Sequence, residues 1–186
     1  MEALARVAVM VRAGAAPLWW LGVLAAGIGG FVPGLTGPAI GVYGGAAAAI
    51  ITAAAVALAR RGRYTQRADE ALRAPRSVIL QDRAVTARAW RTAHRWWLAA
   101  AFLVAVAAAF AIPAAPGMVL AGAGAGLWAK AAWIGRLERA RDALLWIRTD
   151  ANSPLAGAYR TTGLAAGDAL PGGAKRVPAA KAKTKA

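Results

Sequence analysis

Side chains able to do covalent or acid–base chemistry are few in this chain, and they are scattered. There is no cysteine and a single histidine, His94. That excludes a thiolate nucleophile, a disulfide and a Cys-ligated zinc site. Ser77 and Ser153 are the only serines, and neither stands in a Gly-x-Ser-x-Gly elbow. No Gly-rich loop ends in Lys-Ser or Lys-Thr after a strand. The eight carboxylates, set against 23 Lys and Arg, avoid the long apolar blocks altogether. Proton relays, ion-coupled carriers and charged selectivity rings need such groups deep in the membrane. The inventory points away from an enzyme, a metal protein and a self-contained pump, and no cofactor is expected. What remains is electrostatic: a formal charge of +15, carried mostly by arginine.

That charge is concentrated. Residues 60–95 hold ten arginines against Asp69, Glu70 and Asp82, a balance of +7. Residues 136–186 hold six arginines and four lysines against four acids, a balance of +6, and end in a Lys-rich tail. Thr65–Pro75 reads as a short helix stopped before its proline. From Ser77 a second helix is expected to run on into the next apolar block. Val78, Val85, Ala89, Ala93 and Trp96 share one of its faces and Arg88, Arg91 and Arg95 another, the pattern of a helix lying along a membrane interface. Arg83, Arg88, Arg91 and Arg95 are the candidate phosphate contacts. Anionic lipid headgroups are the first expected partner. Nucleic acid is the second, through counterion release and without a base-reading motif.

The elements that must carry this charge are apolar. Ala13–Ala59 contains no Asp, Glu, Lys or Arg. It is long enough for two bilayer passes of about 20 residues each, and Val32–Pro38 marks the turn with two prolines and two glycines. The apolar stretch runs straight through that turn, so the start is not read as a cleaved signal. Trp96–Ala129 is again free of charge and breaks at Ile112–Gly117. The expected fold is an all-α membrane protein: four transmembrane helices as two tandem hairpins, with cytoplasmic amphipathic helices and a disordered basic tail. The divisions are an N-terminus (1–14), a first hairpin (15–59), a basic helical segment (60–95), a second hairpin (96–135), a helix (136–149) and a tail (150–186). Within the second hairpin the spans are placed at about 96–111 and 116–135. The latter is the weaker in hydropathy, because Ala and Gly contribute little to insertion; its Lys130 is expected to snorkel to the headgroups. Leu137, Ala140, Leu144 and Ile147 recur at 3, 4 and 3 and are read as the apolar stripe of the 136–149 helix.

Small residues recur every four positions in the second and fourth spans. Gly37, Gly41 and Gly45 continue into Ala49, Ala53 and Ala57, and Gly122 stands four before Gly126. Such spacing lets membrane helices approach closely. These glycines are the candidate packing sites, within the chain or in a homo- or hetero-oligomer. Trp19-Trp20-Leu21 and Trp96-Trp97-Leu98 open the two hairpins alike, which suggests a parallel internal repeat. Every charged segment lies on one side of the hairpins, and the positive-inside rule makes that side cytoplasmic. The expected location is the cytoplasmic membrane, with both termini inside.

Charge-free hairpins, the Arg-rich 60–95 segment and the tail Ala180–Lys185 together resemble the small basic multi-pass "spread" proteins of conjugative plasmids from GC-rich mycelial bacteria. The resemblance implies plasmid DNA transfer, membrane oligomers and DNA contact, and it assigns no residue a role. A membrane interaction or scaffold protein is the expected function. A holin-like lesion-forming protein and an accessory subunit of a transporter or secretion complex are the alternatives.

Overall fold

The N-terminus and the charged segments 60–95 and 136–186, distant in sequence, are joined by a β-sheet. In the computed structural model, which describes residues 3–73, 79–148 and 158–162, strands β1 (Ala3–Arg6), β2 (Leu72–Arg73), β3 (Ile79–Leu80), β4 (Ala143–Arg148) and β5 (Tyr159–Thr162) form one sheet in the order β2-β5-β4-β1-β3. β1 pairs antiparallel with β4, Ala5 opposite Ile147, and parallel with β3. β4 pairs antiparallel with β5, and β2 parallel with β5. The fold is therefore helical with a small sheet, not all-α. The expected 136–149 helix stops at Ala140. Asp142 then takes a left-handed φ of 46°, a conformation Asp tolerates better than most residues, and Ala143–Arg148 becomes the central strand. Period-2 alternation sends Leu145 and Ile147 to one face and Leu144 and Trp146 to the other. The spacing that suggested a helical stripe thus serves both faces of a strand. β5 lies within the stretch expected to be a disordered tail; residues 150–157 and 163–186 lie outside the described residues.

Six helices complete the chain: α1 (Val7–Ala13), α2 (Ala15–Phe31), α3 (Pro38–Leu58), α4 (Arg61–Asp69), α5 (Arg83–Ala108) and α6 (Ala115–Ala140). The expected Thr65–Pro75 helix is α4, shifted toward the N-terminus and ended before β2. The helix expected from Ser77 begins instead at Arg83, after β3. Pro38 and Pro116 stand in the first turns of α3 and α6, where the missing N–H costs nothing. Three helical stretches are long and apolar enough to cross a membrane: Val7–Phe31, Pro38–Asp69 and Ala115–Ala140. α5 is not among them, because its charge-free part, Trp96–Ala108, supplies only about 20 Å at 1.5 Å per residue. The span weakest in hydropathy is thus among the three, and its neighbour is not.

The helices are layered in the order α3, α6, α2, α5. The legs of the first sequence hairpin do not pack on each other; α6 is inserted between them. Two glycine faces of α6 permit this. Gly117 and Gly124 receive α2, at the backbones of Ala26 and Trp19. Gly122 and Gly126 receive α3, at the carbonyls of Ala49 and Ala53. α2 also packs along α5, where Gly29 meets Ala109, whereas α3 has no comparable contact with α5. The two hairpins are therefore not equivalent in packing, whatever their sequence likeness. At the end away from the sheet the two turns meet: the Leu35 amide donates to the Phe110 carbonyl at 3.2 Å, and Thr36 Oγ1 donates to that of Ala111. Outward faces of α2, α3 and α5 leave large apolar side chains uncovered, among them Leu24, Ile50, Ile51, Leu103 and Val104.

At the other end, Val7, Ala8, Ala68, Ala71, Ile134 and Leu145 form a core under one face of the sheet, joined by Tyr64, Trp133 and Leu137. Leu4, Leu144 and Trp146 cluster on the opposite face with Tyr159. A buried ion pair locks these parts together. Arg6 Nη2 lies 2.6 Å from Glu138 Oε2, and Arg6 Nε donates to Oε1 at 3.4 Å. The Leu145 amide donates to the same Oε1 at 3.1 Å. One carboxylate at the end of α6 thereby holds β1 and β4.

Candidate anionic interface

Helix α5 raises an arginine row above the membrane-length layer. Arg88, Arg91 and Arg95 follow one another by three and four residues, so they share a helix face. All three are exposed. Arg83 is exposed too, but it stands five residues before Arg88, turned roughly a quarter to a third of a turn from the row. The row starts about 12 Å above Trp96, at 1.5 Å per residue, and ends where the Arg95 guanidinium lies 5.4 Å from the Trp96 ring centre. Trp96 and Trp97 are both well exposed. Exposed indoles below a basic row are what an interfacial helix presents to headgroups.

The other side of α5 is anchored. The Trp90 ring packs on Gly14, at the junction of α1 and α2, and stacks on His94 at 4.3 Å between ring centres. His94 Nδ1 donates to the Trp90 carbonyl at 2.9 Å. The single histidine is thus a ring spacer beside its own helix. Among the described residues no group of three His, Cys, Asp or Glu could hold a metal.

Of the candidate packing glycines, Gly41 faces the Pro113 carbonyl, Gly45 faces Ala115 and the Met118 sulfur, and Gly122 and Gly126 face α3. Gly37 has open space around it. All four close approaches are within the chain.

A second basic group was not among the sequence-based candidates. Arg60, Arg61 and Lys130 converge where α3 passes into α4. Lys130 is 7 % exposed, so its stem is covered by protein. Arg61 Nε donates to the Ala57 carbonyl at 3.0 Å, and its guanidinium lies 5.1 Å from the Trp133 ring centre, a cation–π contact. A signal for this group does exist in the sequence. Lys130 continues the four-residue step of Gly122 and Gly126, but only the pairing of α6 with α3 shows what that step leads to.

No family model, no curated protein and no solved structure matches this chain.

Proposed function

We propose that this chain is a non-enzymatic, four-span membrane scaffold that presents one basic face to anionic headgroups, with α5 as the remaining span. One observation carries the reading. The sheet gathers the N-terminal, middle and C-terminal charged segments at one end of the helix layer, while the other end consists of two short uncharged turns. A chain whose three long segments meet at one end must traverse the layer an even number of times, and α5 runs beside α2 from the sheet to the turns. Trp96-Trp97 in α5 matches Trp19-Trp20 in α2 as an entry level. The shortness of the apolar part of α5 is met by snorkelling of flanking residues and local bilayer thinning. By the positive-inside rule the sheet lies in the cytoplasm.

The absence of native cysteine makes the topology easy to test. Single cysteines at Leu35, which is 91 % exposed in the first turn, and at Thr92, exposed on α5, should respond oppositely to a membrane-impermeant maleimide in intact cells. Leu35→Cys should label, and Thr92→Cys should label only after lysis. Labelling of Thr92→Cys in intact cells would overturn the orientation.

The height of Arg88 above the Trp level favours one further reading, contact with nucleic-acid phosphates. Full-length protein in neutral detergent should then bind duplex DNA with log affinity falling against log salt at about −0.9 per phosphate contacted. Substituting Arg83, Arg88, Arg91 and Arg95 together by Gln should flatten that slope. Binding to phosphatidylglycerol vesicles with no DNA binding at low salt restricts the face to lipid.

A further inference from the structure

We infer that Lys130, Arg60 and Arg61 form a site for one phosphate of an anionic phospholipid at the sheet end of the α3–α6 seam, an inference that rests on the membrane reading above. α3 and α6 run parallel and keep one register: Met118 on Gly45, Gly122 on Ala49, Gly126 on Ala53. The next step of four places Lys130 against Ala57, the last buried residue of α3. A seam of small residues thus ends on a long cationic one. Arg61 folds back to that point through its bond to the Ala57 carbonyl. Arg60, at a left-handed φ of 61°, turns the chain there. The Arg61 guanidinium lies over the ring of Trp133, one turn along α6 from Lys130.

Among the described residues the group has no counter-ion. No hydrogen-bond acceptor meets the Lys130 ammonium among the described residues. Glu138 is engaged by Arg6 and the Leu145 amide, and Asp69 by Arg141 at 2.8 Å. Three cations held together repel one another, and an anion between them reverses the sign of that energy. α4 begins at Arg61, so its first amides and the positive end of its dipole lie beside the two arginines. Trp128 and Trp133 bracket Lys130 on α6, and Trp rings mark the depth of lipid headgroups. Below the cations, Leu58 and Ile51 of α3 are exposed and offer an apolar track for an acyl chain. A free phosphate shares the headgroup's chemistry; the depth and the apolar track favour the lipid. Basic pockets between helices on this side of a membrane suit such headgroups.

The test uses full-length protein in neutral detergent, titrated with dioleoylphosphatidylglycerol or dioleoylphosphatidylcholine, with retained lipid counted by native mass spectrometry. Wild type should keep one phosphatidylglycerol in preference to phosphatidylcholine. Lys130→Gln should cut that preference about tenfold, the scale of one charge-assisted contact. Arg60→Gln should weaken it in the same direction; Arg60 is exposed, so its loss leaves the seam intact. Excess inorganic phosphate should leave the lipid bound. Displacement by phosphate would make this a free-phosphate site and overturn the lipid assignment. No lipid preference in wild type, or full preference in Lys130→Gln, would overturn the site itself. The cysteine labelling is read independently, so the site can fail while the membrane reading stands.

Discussion

Gly117→Leu is expected to be the most damaging single substitution in the helix layer. A Cβ at Gly117 would already press on the backbone of Ala25 and Ala26 in α2, and reciprocally Gly22 has no room against Ala121 and the Gly117 carbonyl. These are backbone atoms, so no rotamer change relieves the clash, and α2 must leave α6. Overpacking typically costs about 1–3 kcal/mol. Separation along the seam adds lost dispersion contacts, with no hydrophobic force between membrane helices to replace them. A loss of about 3 kcal/mol lowers Tm by about 6–12 °C for a chain of this size. Gly44→Leu is the matched control, since nothing lies near Gly44. That variant should melt at or above the wild-type temperature, because Gly in a helix interior costs about 1 kcal/mol relative to Ala. Equal melting of the two variants would remove α6 from the centre of the layer.

The second large effect is expected at Glu138. The Arg6 and Glu138 side chains are 6 % and 1 % exposed, so Glu138→Ala strips the buried Arg6 guanidinium of this carboxylate. Removing one partner of a buried pair costs about 3–5 kcal/mol, whereas replacing both by apolar groups of similar volume is often nearly neutral. Glu138→Ala should therefore unfold the sheet end, seen as rapid proteolysis near β1 and β4. The double variant Arg6→Met, Glu138→Leu should recover most of the wild-type resistance. A single variant as resistant as wild type would show that the pair does not hold the sheet.

Membrane character was legible because it depends on composition over long stretches: Ala13–Ala59 and Trp96–Ala129 exclude charge, and prolines mark their turns. The candidate glycines were legible as a spacing, but not their partners. Gly122 and Gly126 also fit an oligomer seam until α3 is seen to lie against them. The central place of α6 was hidden for a physical reason. The small residues that lower its hydropathy are the ones that let two neighbours approach, so a scale of insertion energy undervalues it. The sheet was hidden differently. Ala143–Arg148 follows a helix without Gly or Pro, and the break is made by Asp142. Its partners, Ala3–Arg6 and Tyr159–Thr162, are too short to declare themselves, and the pairing with Ala3–Arg6, across more than a hundred residues, leaves no local trace. Lys130, Arg60 and Arg61 came together only through the α3–α6 register.

The strand order also sets a timetable for biogenesis. β1 leaves the ribosome long before its antiparallel partner β4, which follows α6. Until then Arg6 waits for Glu138, and the edges of β1 remain open. Every apolar helix must therefore be threaded before the sheet can close, and closure signals that α6 has arrived between α2 and α3. A polypeptide halted before residue 138 would carry unpaired strand edges in the aqueous compartment, a form that cellular proteases and chaperones recognise. Stop codons placed before and after β4 should accordingly give products of very different lifetime in cells, even where the membrane helices of both have been inserted.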